Sequence, residues 1–175
     1  MSSSSTSNAG RRETKKAQTR DALVQAAFEL FCEHGYENVT VEAIAERAGV
    51  SRRTYFRYFP TKEAVVFPQD EARFIAFKDL LTPLKGESHW GAIRRALLTL
   101  AEDFMENREL AVLQQKVLAE TPGLHAVSNQ LDQRFLNAIA DTIRDGQTDS
   151  ATSQRARILA GAVLGAVGEA MRIWG

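Results

Sequence analysis

Cysteine is nearly absent from this chain: Cys32 is the one among 175 residues. An internal disulfide framework is therefore excluded, and the composition fits a reducing compartment. Long apolar runs are lacking too. The longest, residues 158–168, gives way to Glu169 and Arg172, whereas a membrane-spanning helix needs roughly 20 apolar residues. The Ser-rich opening has no apolar stretch of the kind a signal peptide carries. A soluble cytoplasmic protein is the expectation. Net charge is missing as well, with 22 Lys plus Arg against 22 Asp plus Glu. That balance argues against a purely electrostatic coat for nucleic acid and leaves local patches open.

Catalytic and metal-ligating patterns are also missing. Cys32 and His34 stand two apart on a helical stretch, so they point away from each other. His89 and His125 have no Cys or His neighbour at metal-ligand spacing. No HExxH, GxSxG or Gly-rich phosphate loop occurs. Neither a catalytic site nor a metal or cofactor is expected, and an enzyme is disfavoured.

What is present is helical periodicity. At 44% hydrophobic residues, a chain of this length buries a real core. Strand-like alternation and two-residue hairpin signals are absent, so the expected fold is all-α. The first helix is expected over about residues 14–34, where Leu23, Ala27, Leu30 and Phe31 share a face and Gly35 stops it. Residues 1–13 read as a disordered tail. Thr40 caps a second helix, and Ser51 caps a third that Pro60 ends. A fourth helix opened by Thr61 meets Pro68, which predicts a kink or a restart. Ser88 opens a fifth and residues 109–119 form a short sixth. Thr121-Pro122 opens a seventh that stops at Asp145-Gly146. The polar stretch 147–153 leads to an eighth. Three short helices followed by longer, more apolar ones predict one domain over 14–67 and another over 68–175.

Charge is uneven along this balanced chain. Residues 11–20 hold Arg11, Arg12, Lys15, Lys16 and Arg20 against Glu13, a net of 5 − 1 = +4; residues 47–62 hold Arg47, Arg52, Arg53, Arg57 and Lys62 without an acid, a net of +5. Two such clusters predict a polyanion partner, with solvated faces as the alternative. The second cluster lies on a helix, a Gly49-Val50-Ser51 turn and another helix. This is the layout of a helix-turn-helix, whose second helix can enter the DNA major groove. Arginine bonds a guanine edge or a phosphate, and Thr54 a phosphate or a thymine methyl. Lys62 is expected to aim its ammonium at a phosphate beside a helix N-terminus.

Residues 49–63 closely resemble the recognition segment of the TetR family of repressors. Phe31, Gly35, Tyr36, Thr40, Ile44, Ala45 and Gly49 occupy the family's places upstream, so the resemblance covers about residues 15–65. It implies a three-helix N-terminal helix-turn-helix domain followed by a helical ligand-binding and dimerisation domain. It further implies a bacterial homodimer bound to a palindromic operator in double-stranded DNA and released by a small apolar effector. Thr40, Ser51, Arg52, Arg53, Thr54, Arg57, Tyr58 and Lys62 are the implied DNA-binding residues. Phe56 departs from the family, which often has tyrosine there, and removes one phosphate hydroxyl. Glu42 stands where some members place a basic residue and is left out. Arg11, Arg12, Lys15 and Lys16 read either as an arm reaching along DNA or as a solvated basic tail.

In the second domain, Phe77, Trp90, Phe104, Leu131 and Phe135 are the candidate ligand-binding residues, with ordinary core as the alternative. Trp90, whose indole N–H wants a partner, is the least arbitrary of them. The last helix carries Gly161, Gly165 and Gly168, each costing about 1 kcal/mol in a helix interior. Close helix–helix approach is the expected compensation. The family pairs its last two helices with their copies, and one such helix is seen here, so the dimer interface is expected to be truncated or built differently. A helical regulator that has lost DNA binding is the second rival, and the retained arginines speak against it.

Overall fold

The computed structural model describes the backbone of residues 4–174 and the side chains of residues 11–170 and Ile173. Eight α-helices follow one another without a strand among the described residues: α1 (Ser4–His34), α2 (Val41–Arg47), α3 (Arg52–Tyr58), α4 (Asp70–Leu80), α5 (His89–Glu106), α6 (Arg108–Glu120), α7 (His125–Arg144) and α8 (Ser150–Trp174). None is long and apolar enough to cross a membrane.

Local chemistry sets most of the boundaries. The Thr40 hydroxyl accepts from the Ala43 N–H at 3.2 Å, Ser51 from Thr54 at 3.1 Å and Ser88 from Gly91 at 3.1 Å. Each satisfies an orphan donor of a first helical turn, worth about 1 kcal/mol. Gly49 takes φ +68°, and Asp145 with Gly146 takes φ +46° and +78°, which end α2 and α7 in the left-handed region.

Four expectations change. The seventh helix, expected to open at Thr121-Pro122, begins at His125 after a 3-10 turn over Pro122–Leu124. The first helix begins at Ser4, so residues 4–13, expected as a disordered tail, are helical; residues 1–3 of that tail lie outside the described residues. Extending an existing helix costs far less than nucleating one, so α1 grows back through Arg11–Lys16. The helix expected from Thr61 is reduced to a 3-10 turn, Glu63–Val65, capped by the Thr61 hydroxyl on the Ala64 N–H at 3.2 Å. Buried Pro68 then separates it from α4, giving a restart rather than a kink. The polar stretch 147–153 is helical from Ser150, because the Asp149 carboxylate accepts the Thr152 N–H at 2.8 Å.

The chain forms two compact units, and these do not follow the simple division at residue 67. One comprises Met1–Pro68 with Leu113–Pro122; the other comprises Gln69–Val112 with Gly123–Gly175. The first unit buries Leu23, Phe28, Phe31, Ile44, Tyr55, Phe59, Val65 and Val66. Residues 113–122 join it partly through Gln114, whose side-chain amide donates to the Val66 carbonyl at 2.8 Å. The second unit is built on Phe77, Leu81, Ile93, Ala96, Ile139, Ala140, Ala156 and Ala160. Phe135 stacks edge-on to Phe74 and tilts against Phe77, with ring centroids 5.3 and 5.0 Å away. The glycines of α8 are mostly unpartnered among the described residues. A methyl at Gly161 would meet Leu136 at 3.8 Å, and one at Gly165 or Gly168 would meet nothing within 4 Å.

One half-buried carboxyl has a consequence for stability. The Asp70 carboxyl, at the first position of α4, is raised from 3.8 to about 6 by burial, against the pull of Arg73 and Arg134. Its Oδ2 has no hydrogen-bond partner among the described residues. The folded state therefore holds the proton more tightly than the unfolded chain, and stability falls as pH rises through the window from about 4 to about 6. Asp70→Asn should raise the melting temperature at pH 7, with the gain shrinking towards pH 4. A gain independent of pH over that range would contradict this account.

Candidate nucleic-acid interface

The interface is assembled by the turn between α2 and α3. The Val50 N–H donates to the Ala45 carbonyl at 2.9 Å and the Gly49 N–H to the Glu46 carbonyl at 3.0 Å, closing α2 and redirecting the chain. In α3, Tyr55 is 0% exposed and the adjoining Phe59 2%. The Tyr55 hydroxyl donates to the Thr61 carbonyl at 3.1 Å, and burial pushes its pKa above the ordinary value, so it remains a donor. With Tyr55 and Phe59 committed inward, the helical period turns Arg52, Arg53, Phe56 and Arg57 outward, and all four are exposed.

These exposed cations are not equivalent. Arg53 has no ion-pair or ring partner among the described residues. Arg52 is held by Glu42 at 2.7 Å and lies over the Phe56 ring at 5.3 Å. Arg57 lies over the Tyr58 ring at 5.2 Å. Thr54 is half-buried and its hydroxyl is 3.0 Å from that of Ser51, so these two are bound to each other as well as facing the helix start. Thr40 is exposed at the start of α2, its oxygen occupied by the Ala43 N–H. Glu42, set aside in the sequence, is thus the group that fixes the direction of Arg52.

Two cations of the second cluster turn elsewhere. The Lys62 ammonium, expected on a phosphate, donates to the carbonyls of Tyr36 at 2.9 Å and Val39 at 3.0 Å and lies 4.0 Å from the Tyr36 ring centre. It closes the turn between α1 and α2 from below. Carbonyls at a helix end attract a cation, and that local demand overrides the outward reading. Arg47 bonds to Glu29 at 3.3 Å and Glu33 at 3.0 Å, tying α2 to α1, and this hydrogen bond lowers the Glu33 carboxyl below its ordinary value. The outward charge of the cluster is accordingly carried by Arg52, Arg53 and Arg57.

The upstream cluster joins the same unit. Arg20 lies over the Phe59 ring at 5.0 Å, next to the end of α3. Arg11, Arg12, Lys15 and Lys16 are exposed on the helical extension of α1. They stand on a defined helix, not on an unstructured arm.

The five candidate ligand residues do not converge. Phe77 lines a cleft of about 320 Å³ between α4 and α5. Trp90, 49% exposed, lines a different groove of about 410 Å³ formed by α5 and α8. Phe135 packs on the core beside Phe74 and Phe77, while Phe104 and Leu131 are half-buried and belong to neither cavity. The cause is the phase of α5. Ala96, Leu100 and Asp103 share one face, and Trp90, Leu97 and Ala101 share another. Among the described residues no group of three or more His, Cys, Asp or Glu side chains could hold a metal.

Comparison with known proteins bears on this geometry. Residues 23–67 match the model for bacterial regulatory proteins of the tetR family. The HTH-type transcriptional regulator TcmR of Streptomyces glaucescens is 36% identical over 144 residues, which cover 75% of this chain and 63% of TcmR. This chain therefore spans less than two thirds of that relative's length. The putative mycofactocin biosynthesis transcriptional regulator MftR of Mycobacterium tuberculosis is 27% identical over 169 residues, 96% of this chain and 84% of MftR. Among solved structures, the SmeT–triclosan complex matches 87% of this chain and 80% of its own, with TM-score 0.60 and 23% identity, and so shares the fold.

The inward turn of Lys62 separates two roles. Lys62→Met should destabilise the first unit by about 1.5–3 kcal/mol, the worth of hydrogen bonds to a charged group. It should leave the salt dependence of DNA affinity unchanged, whereas loss of a phosphate contact would reduce that slope by about 1. A normal melting temperature with a reduced slope would return Lys62 to the DNA.

Proposed function

We propose that this chain, whose residues 23–67 match the model for bacterial regulatory proteins of the tetR family, is itself such a regulator and a homodimeric repressor of a palindromic operator. Each α3 enters one major groove, and a small apolar effector in the second unit releases the DNA. The observation that carries this reading is the division of α3. Tyr55 and the adjoining Phe59 anchor it, and Arg52, Arg53 and Arg57 stand on the exposed side where base edges and phosphates would lie.

Arg53 is the principal base reader in this scheme, since no acceptor among the described residues competes for its guanidinium. Arg52, steered by Glu42, and Arg57 hold adjacent bases or backbone. Thr40, Ser51, Thr54 and Tyr58 take phosphates at the rim, where short hydroxyl side chains and helix starts suit them. Lys62 drops out of the contact set. The protein acts in the cytoplasm, where its DNA is.

Dimerisation is assigned to α8. Gly165 and Gly168 leave open space on the helix that also exposes Ile158 and Leu159, and a second copy of the helix would fill it at close approach. The effector site is assigned to the second unit, with Phe77 or Trp90 at its wall. The triclosan bound by SmeT is an example of such a small apolar ligand on this fold. Ligand release of DNA requires differential affinity for two arrangements of the dimer. The chain passes between its two units at 68/69, 112/113 and 122/123, which gives three covalent routes for the coupling.

Selection of bound sequences from random duplex DNA at moderate salt tests the reading, and an inverted repeat is the expected product. Arg53→Ala should then cost about 1–3 kcal/mol on the selected sequence and relax preference at one position of each half-site. Unenriched sequence in the selected pool would contradict operator recognition. Gly165→Leu should convert the dimer to a monomer in sedimentation and abolish half-site pairing. A wild-type chain that sediments as a monomer would remove α8 from this role.

A further inference from the structure

The cleft between α4 and α5 is polar at one end and apolar at the other. The two helices run so that Arg73 on α4 meets Asp103 on α5, while Phe77 and Leu80 lie towards Ala96 and Leu100. Its volume of about 320 Å³ falls at the lower end of the range for small-molecule sites. Hydrogen-bonding capacity at the polar end is unevenly spent. Asp103 accepts from Arg73 Nε at 2.7 Å through Oδ2 and from the Asn107 amide at 3.2 Å through Oδ1. Both of its oxygens are engaged. Arg73 has spent one donor, and neither of its terminal amino groups has an acceptor among the described residues. The side chain is only 28% exposed, so these donors sit at the mouth of an apolar cleft rather than in open water.

We propose that this cleft binds a small apolar carboxylate, its hydrocarbon body against Phe77, Leu80 and Leu100 and its carboxylate on the terminal nitrogens of Arg73. The inference rests on the reading of the second unit as an effector domain and adds the chemical class of the ligand. A planar guanidinium offers two parallel N–H groups that match a carboxylate, and such charge-assisted pairs are the strong ones. Asp103 keeps Arg73 oriented through Nε while leaving the paired donors for the ligand. The Asn107 amide holds Asp103 in turn. A neutral ligand of the same shape gains the apolar contacts and loses the bidentate pair. Arg73 is thereby the residue that selects among small apolar molecules, and its place in the first turn of α4 puts the bound anion beside the start of the chain's second unit.

The test uses the whole chain and a matched pair of probes, 1-naphthoate and its neutral amide 1-naphthamide, in titration calorimetry. Naphthoate should bind about tenfold or more tightly than the amide, the ratio expected of charge-assisted hydrogen bonds. Arg73→Gln should abolish that preference, and Asp103→Asn, whose neutral amide holds the Arg73 Nε less firmly, should reduce it. Melting temperatures of both variants report whether the fold survives. Equal affinity of the two probes for the wild-type chain, or a preference that survives Arg73→Gln, overturns the proposal. Binding of the amide without any preference would leave the cleft as an effector site and remove Arg73 from recognition. Failure of both probes to bind at millimolar concentration would overturn the assignment of the cleft itself. Operator selection is read independently of either result.

Discussion

The interface depends on the burial of Tyr55. A helix of seven residues is far too short to stand alone in water. α3 exists because Tyr55 is wholly withdrawn from solvent, because its hydroxyl is satisfied by the Thr61 carbonyl, and because Ser51 caps its first turn. Once those three points are fixed, the helical period leaves the arginines no direction but outward. The phenol would be costly to bury without an acceptor. The backbone beyond α3 must therefore return to meet it, and the Pro60-Thr61 corner accomplishes that. Position, orientation and chemistry of the exposed face thus follow from one buried side chain and its partner.

Electrostatics then sharpen what packing has placed. The cluster that sums to +5 in the sequence is partly neutralised by its own surroundings. Arg47 is taken by Glu29 and Glu33, and Lys62 by two backbone carbonyls. Both serve the rigidity of the helix-turn-helix instead of adding to its outer field. Glu42 aligns Arg52 across the turn, which reduces the rotamer entropy that the side chain would lose on meeting a partner. These ion pairs are exposed, so each contributes little to stability, and their effect is mainly on direction.

Much of this was legible in the sequence, for a physical reason. Thr40, Ser51, Ser88, Gly49 and Pro68 act on their immediate neighbours in the chain, and such effects survive whatever the rest of the fold does. The all-helical class and the helix-turn-helix followed from periodicity and from those local signals together. Lys62, Arg47 and Glu42 were not legible in this way. Their partners lie on other elements, and whether a long charged side chain turns in or out depends on which carbonyl or carboxylate tertiary packing brings near. The candidate ligand residues scatter for a related reason. α5 carries apolar residues on more than one face, so Phe77 and Trp90 look alike in sequence while lining different cavities. The grouping of residues 113–122 with the first unit depends on a contact of Gln114 with a carbonyl far back in the chain, which no local pattern announces.

The central claim is that the outer face of α3 reads DNA from the major groove. Methylation interference on an operator duplex tests it directly, because a methyl group on guanine N7 projects into that groove and one on adenine N3 into the minor groove. The account predicts interference by N7-methylguanine at symmetric positions in the two half-sites, centred about 34–36 Å apart if adjacent turns are read. Binding that tolerates every N7 methyl and is blocked by adenine N3 methylation alone would contradict it.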